Sequence, residues 1–513
     1  MSWAQVNLRA PSMALAVMAA GLATPAGLAA PVSVATQVKP YLVPVGSTYT
    51  VAPLLSVADR VAETGDPTRL YQMVGIPDGL GAYQGVFGPV NLLMSHEFGK
   101  GTSSEPFVGR PRNRGAIVSR WLLDRNGNVL SGDRAYDWVY MEDTLVGPAA
   151  QENNATPAFA RFCSASLPGR EAGFDRPIYL AGEEAVSPDT FDGKGGLTVA
   201  VLGNEARALP KLGRFSKENN LVMPNTGTQT VIMSLEDGPS TPDSQLYLYV
   251  GQKDRSSPSP LSRNGLNNGN LYVFVSTTPG KFDELSFQEG TISGRWEQIE
   301  GAEDMTDVQL EAAVDAAGAF GFVRIEDGAF SKTHGNQFFF VTTGGNPGAG
   351  NALGRLYALT LNSGNPVGAA RLQVVYNADH VIEDGGDIAI SPDNLDTSTE
   401  YLMVQEDGTS QSRPIMEQKG RDGSIWRFNL RMGLAGQWVD VDSALRVAEL
   451  DPPGRDGIPV GAGIWESSGI LDASQWFGAG SWLLDVQAHP PTTPPAPNTV
   501  EDGQLLLMVP AGN

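Results

Sequence analysis

Beyond about residue 40, apolar and aromatic residues gather in short runs bounded by Gly, Asn, Asp or Pro, such as VNLLMSHE, AIVSRWLLD, TVIMSLED, QLYLYVG, NLYVFVS, QFFFVTTGG, RLYALTL, YLMVQED, SIWRFNL and SWLLDVQAH. Runs of this length, rich in β-branched and aromatic residues and closed by turn formers, predict β-strands. One window departs from the pattern. DMTDVQLEAAVDAAGAF, residues 304–320, carries the Asp, Glu and Ala content of a single short helix set between strands.

The strands recur in pairs: VIMSLEDG with QLYLYVG, QFFFVTTGG with GRLYALTL, and YLMVQEDG with GSIWRFNL. In each pair a first strand ends at a turn, a loop of variable length follows, and an aromatic strand comes next. Strand pairs repeated over several hundred residues suit an all-β propeller, because radial repetition protects sheet edges as the chain grows. No strict repeat period fixes the blade number. The stretches 101–115, 253–268 and 408–422 read as loop insertions on the blades.

Glu-Asp-Gly occurs five times, at Glu236, Glu326, Glu383, Glu406 and Glu501. Glu236, Glu326 and Glu406 each follow an apolar run, so in a propeller they are expected at equivalent strand ends facing one channel mouth. Glu383 has a weaker strand before it, and Glu501 precedes its strand and reads as an ordinary turn. Asp-Gly is also a common tight-turn dipeptide, and a turn-only reading stands beside the functional one.

Composition adds to this picture. With 60 Gly, 36 Pro and 41% hydrophobic residues, the chain reads as globular with many turns. A net charge of −22 disfavours nucleic acid and anionic membrane surfaces as partners, while clustered carboxylates suit hard cations such as calcium. Residues 12–30, SMALAVMAAGLATPAGLAA, follow Arg9 and end in small residues, the layout of a cleaved export signal. The expected organisation is a signal peptide over 1–30 and one propeller domain over 31–513, in the periplasm or secreted. No Arg-Arg pair marks the twin-arginine route. Cys163 is the only cysteine, so it is either a buried core residue or a ligand.

Standard hydrolase motifs are missing. No serine lies in a Gly-x-Ser-x-Gly elbow, Arg170 misses the cysteine-phosphatase spacing from Cys163 by one residue, and DRNGNVLSGD has Val129 where a calcium loop needs glycine. Four histidines, His96, His334, His380 and His489, argue against a histidine-rich zinc centre, so carboxylates must dominate any metal site. Oxygen ligands favour calcium or ferric iron, and one thiolate adds a soft contact to a redox-capable metal. Arg324, two residues before Glu326, suits a bidentate grip on phosphate or, alternatively, a structural ion pair.

Ordered along the chain, GIPDGLGAY (75–83), LLMSHEFGKG (92–101), RGAIVSRWLLD (114–124), RFCSASLPG (161–169), LAGEE (180–184) and LGRFSKEN (212–219) resemble segments of the PhoX-type alkaline phosphatase family. So do QLYLYVGQK (245–253), NGLNNGNLYVF (264–274), FVRIEDGAF (322–330), YLMVQEDG (401–408), SIWRF (424–428) and SSGILDAS (467–474). The resemblance implies an exported phosphomonoesterase on a six-bladed propeller, acting on small phosphate esters with iron and calcium in a carboxylate-rich central site. Carried onto this chain, Cys163 becomes an iron ligand, Glu236 and Glu326 metal-bridging carboxylates, and Arg324 the phosphate grip. Glu183, Glu184 and Glu406, with Asp387 or Asp393, become further iron or calcium ligands.

The chain departs from the family in two ways. The best-understood branch carries a cysteine directly before its Glu-Glu pair, where this chain has Gly182, and its only thiol lies nineteen residues earlier. Either Cys163 reaches the same metal from another strand, or it is buried and the iron site is altered. Family members also commonly use the twin-arginine route, which this signal lacks. Two other classes use similar carboxylates: a calcium-dependent propeller lactonase or esterase, and a non-catalytic calcium-binding propeller.

Overall fold

The computed structural model describes residues 36–85, 88–346, 348–434, 436–450, 464–489 and 498–512; the expected export signal lies outside them. Six short strands form the innermost layer: β1 (Pro77–Gln84), β2 (Phe162–Ser166), β3 (Lys217–Val222), β4 (Ile325–Phe330), β5 (Pro392–Thr397) and β6 (Ile464–Asp472). Each packs against the next in chain order, and β6 returns to β1, which closes a ring around a central channel. Every inner strand opens an antiparallel sheet that runs outward, so the molecule is a six-bladed β-propeller.

Blades one and two continue through Val90–His96, Ile117–Leu123 and Val129–Arg134, and through Tyr179–Glu183, Thr198–Leu202 and Glu205–Leu209. Each is capped by a hairpin from the preceding chain, Arg60–Glu63 with Asp66–Gln72 and Trp138–Met141 with Thr144–Pro148, whose inner strand adds in parallel. Blade three runs through Gln229–Glu236, Leu246–Gln252, Asn270–Ser276 and Thr291–Ile299, and blade four through Gln337–Thr342, Arg355–Thr360 and Ala370–Asn377. The outermost strands of these two blades pair, Thr291 opposite Gln373, so neither leaves a free edge there. The strand pairs expected from the sequence are the second and third strands of blades three, four and five.

The chain start closes the ring. Tyr49–Ser56 adds to Asp502–Pro510 as the outer strand of blade six, and Leu42–Pro44 adds to the last strand of blade five. Side chains explain why so many strands are apolar on both faces: each blade is packed between two neighbours. Leu54, Leu55, Leu80, Leu92, Leu483 and Leu505 fill the gap between blades six and one. Val231, Met233, Phe338, Phe340 and Tyr357 fill that between blades three and four. The expected helix is α1 (Asp307–Ala317), opened by a Thr306/Gln309 capping box and stopped by Gly318 at φ 73°. Of the expected insertions, 101–115 holds a two-stranded ribbon, and 253–268 and 408–422 hold one helical turn or so each. Among the described residues no helix is long and apolar enough to cross a membrane.

Closure by Tyr49–Ser56 is expected to carry a measurable share of stability. Replacing fully buried Leu55 by alanine should cost about 2–5 kcal/mol in urea unfolding, through lost burial and a residual cavity. A loss within error would mean that the ring closes without this strand.

Candidate active site in the propeller channel

One backbone device builds the site, and it recurs in every blade. Pairing between the first and second strands slips by one residue between Pro77 and Leu80, Phe162 and Ala165, Lys217 and Asn220, Ile325 and Gly328, Pro392 and Leu395, and Ser468 and Ile470. A β-bulge sets an extra residue in the strand and re-aims its side chain. The first bulged positions of blades one to five are Asp78, Cys163, Glu218, Glu326 and Asp393, and in blade six the bulge falls at Gly469, next to Ser468. The residues just past the facing second strands of blades one to five are Glu97, Glu184, Asp237, Thr343 and Asp407, and Gln487 of blade six joins them by donating to Asp78 and Glu97. Two concentric polar rings therefore meet at one mouth of the channel.

These rings hold their ligand atoms close together. Asp78, Glu97 and Cys163 lie within 4.8 Å of one another, as do Cys163, Glu184 and Glu218, and Glu218, Glu326 and Asp393. The three groups form a chain, because Cys163 belongs to the first two and Glu218 to the last two. The Cys163 thiol donates to Asp78 Oδ2 at 3.1 Å, and Gln487 Nε2 donates to the same oxygen at 3.2 Å. Asp78 Oδ1 and Glu218 Oε2 are buried and without a hydrogen-bond partner among the described residues.

Beneath the rings, side chains of different blades bond to one another. The second bulged residues include Ser164, Asn219, Asp327 and Asn394. Asn394 Nδ2 donates to Ser164 Oγ, joining opposite blades across the axis, and Asn219 Nδ2 donates to Asp327 Oδ1 at 2.6 Å.

Burial raises the pKa of Asp78, Glu218, Glu326 and Asp393 well above the ordinary carboxylate range, and neighbouring carboxylates add to the shift. Burial likewise pushes the Cys163 thiol up, with Asp78 the next cause. Asp237 rises to about 7 by burial, against the opposing pull of Arg324. Such crowding of acids out of water is relieved by bound cations or by protons. Two guanidiniums offset part of it. Arg324 donates to both oxygens of Asp237 at 3.0 and 3.2 Å and pairs with Glu326 at 3.0 Å. Arg161 reaches Glu97 at 2.6 Å and Glu184 at 2.5 Å.

Of the residues singled out from sequence, the structure brings Cys163, Glu184, Arg324, Glu326 and Asp393 together. Glu183, Glu236 and Glu406 stand one residue short of the channel ring, with their carboxylates turned into the blade. Glu183 accepts from the amides of Ala160, Phe191 and Leu197, and Glu236 from that of Gln245. Glu406 accepts from the amides of Ile390 and Ser424 and from Arg421. They brace the turn from second to third strand, and the side chain that follows each, Glu184, Asp237 or Asp407, takes the channel position.

Asp387 lies away from the rings, paired with Arg421 at 3.0 Å. Glu326 is not equivalent to Glu236 and Glu406, because it begins an inner strand instead of ending a second one. Glu383 closes a short helix, and Glu501 contacts His489. Sequence reading missed Asp78, Glu97, Glu218, Asp237, Asp407 and Arg161. The available signal was the run of strand starts I-P-D-G, R-F-C-S, S-K-E-N, R-I-E-D, S-P-D-N and E-S-S-G, which share a backbone but hardly a residue.

Gly182 is also explained. A Cβ there would lie 2.5 Å from the Lys217 carbonyl oxygen, so this backbone has no room for a cysteine before the Glu-Glu pair. The thiol comes instead from β2, where pairing of Phe162 with Glu183 sets Cys163 beside Glu184.

Residues 201–447 match the model of the alkaline phosphatase PhoX family, and this span holds Glu218, Asp237, Arg324, Glu326, Asp393 and Asp407. The match covers just under half of the chain, which is therefore similar to the PhoX family over that span. That similarity supports a phosphoester hydrolase. No curated protein matches the chain. Among solved structures it is similar to Pseudomonas fluorescens PhoX in complex with vanadate, a transition state analogue, at 14% identity and a TM-score of 0.61, over 91% of this chain and 97% of that one. An α-L-arabinofuranosidase of Fusarium graminearum with an iminosugar inhibitor matches at 10% identity and a TM-score of 0.40, over 89% of this chain and 98% of that one. The first likeness shows the shared propeller, and the second is too distant to add to it.

Raised carboxylate pKa values have a consequence for stability. A carboxyl group whose pKa rises on folding holds more protons in the native than in the unfolded state, so stability falls as pH rises through the interval between the two values. For Asp237 that interval runs from 3.8 to about 7. Protein kept in chelator should therefore melt at lower temperature at pH 7 than at pH 5, and calcium should abolish most of the difference. Equal melting temperatures in chelator would contradict the crowded-acid description.

Proposed function

We propose that this chain is an exported, metal-dependent phosphatase that hydrolyses phosphomonoesters at the channel mouth, on a single propeller domain over residues 31–513 that follows a signal peptide at 1–30. The observation that carries this reading is the junction of Arg324 and Glu326 with the linked acidic groups around Cys163 and Glu218. Phosphoryl transfer requires little covalent chemistry from a protein and much positioning and charge stabilisation. The donor set fits cations. Carboxylate oxygens, two of them buried without partners, suit calcium, and the Cys163 thiolate adds a softer ligand suited to iron.

We assign Asp78, Glu97, Cys163, Glu184, Glu218, Glu326 and Asp393 as the ligands of calcium and iron. Bound cations would supply Lewis-acid polarisation of the phosphoryl oxygens. The protein's own groups do the remaining work. Arg324 presents a planar fork to two phosphoryl oxygens and offsets the charge that develops on them. Asp237 grips the other side of that fork through two hydrogen bonds and so fixes its plane. The Asn394–Ser164 crossbar ties opposite blades together beneath the rings. Glu183, Glu236 and Glu406 hold the strand ends from which the channel side chains project.

Arg324→Ala and Glu326→Gln should each lower kcat for p-nitrophenyl phosphate by about 10²–10³-fold, the usual cost of losing a transition-state charge partner, with the far-ultraviolet spectrum unchanged. Elemental mass spectrometry of the purified mature protein should find calcium together with iron, and Glu326→Gln should lower the metal content. Unchanged hydrolysis in both variants would refute the reading.

A further inference from the structure

The residue two places before each bulge leads the chain onto the inner strand, and it sits in an unusual conformation. Ile76, Arg161, Arg324 and Ser391 occupy this position in blades one, two, four and five, with φ of 46°, 41°, 54° and 47°. Side chains other than glycine avoid this region, and its repetition at one place around a functional rim marks a backbone that is held there for a purpose. The lead-in residues of the remaining blades are Ser216 and Ser467, so among the six only Arg161 and Arg324 are cationic.

The two arginines also make equivalent contacts. Each reaches back to the residue just past the second strand of the preceding blade: Arg324 to Asp237 at 3.0 Å, and Arg161 to Glu97 at 2.6 Å. Each also pairs with a carboxylate of its own blade, Glu326 for Arg324 and Glu184 for Arg161. Glu184 in turn interacts with Asp237, so the two guanidiniums stand at the ends of one carboxylate bridge. The Cys163, Glu184 and Glu218 group lies between them. Both use Nε and Nη2 for these contacts, and Nη1 of each has no hydrogen-bond partner among the described residues. The Arg161 side chain is 47% exposed and that of Arg324 27%, which makes Arg161 the outer of the two.

We propose that Arg161 is a second anion-gripping side chain of this site, binding the phosphoryl group of the incoming phosphomonoester opposite Arg324. The assignment rests on the phosphatase reading above. A guanidinium has five N–H donors, and the contacts to Glu97 and Glu184 leave part of that fork for a ligand. Its greater exposure gives it a role in capture, so its loss should weaken ground-state binding more than it slows the chemical step. The competing explanation is that Arg161 only braces Glu97 and Glu184, and on that view its removal loosens cations and leaves anion binding alone.

The test uses the full metal-loaded protein with Arg161→Gln and Arg161→Lys, measuring KM and kcat for p-nitrophenyl phosphate, competitive inhibition by inorganic phosphate, and calcium and iron content. Arg161→Gln is expected to raise both KM and the phosphate inhibition constant about tenfold, the scale of one lost charge-assisted contact, while kcat stays within about threefold. Metal content should match wild type, and Arg161→Lys should fall between the two. An inhibition constant equal to wild type in Arg161→Gln would overturn the proposal, as would a loss of bound metal that accounts for the change. If wild-type protein neither hydrolyses the ester nor binds phosphate, the phosphatase reading itself fails. Normal hydrolysis with unaffected Arg161 variants removes only the second grip.

Discussion

Mutual repulsion among carboxylates held within ligand distance of one another at the channel mouth is the constraint to which the rest of this structure answers. Several of these groups have pKa values raised by burial and by one another, so the folded protein favours either protons or cations at the rings. A scaffold that keeps such groups together must be stiff, because every local relaxation would let the acids separate. The closed ring supplies stiffness from outside, with apolar cores between blades and a terminal strand that locks the last sheet.

Inside the ring the stiffness comes from paired acids with divided duties. In Glu183–Glu184, Glu236–Asp237 and Glu406–Asp407 the first carboxylate is tied to backbone amides and the second faces the channel. Alternation along a strand makes this division automatic, since neighbouring side chains point to opposite sides. A buried carboxylate satisfied by amide donors is also a strong fixture for a turn, because breaking it strands several polar groups at once. The bulges complete the arrangement by turning inner-strand residues that would otherwise face a neighbouring blade onto the axis.

A good part of this was legible in the chain itself. The strand runs, the pairing of VIMSLEDG with QLYLYVG and its two counterparts, α1, and the acidic character of the centre all follow from local pattern and composition. Glu-Asp-Gly pointed to the channel mouth, yet it led to Glu236 and Glu406, where the neighbouring Asp237 and Asp407 hold the channel positions. A strand ending marks the place to within one residue, and with a side-chain period of two that single residue decides which way a carboxylate points.

Sequence by itself determined that this is an acidic, strand-rich chain with family-like motifs, a lone thiol and an Arg-x-Glu segment, because those properties reside in single residues and short runs. Tertiary structure alone decided that Cys163 from one strand and Glu218 from the next blade share a site, that Arg161 and Arg324 are counterparts, and that Gly182 leaves no room for a thiol. These facts depend on ring closure and on bulge register, which bring together residues up to several hundred positions apart. Backbone geometry of that kind can be built from Pro-Asp-Gly, Phe-Cys-Ser or Lys-Glu-Asn alike, so it leaves no repeating pattern of residue types along the chain to be read.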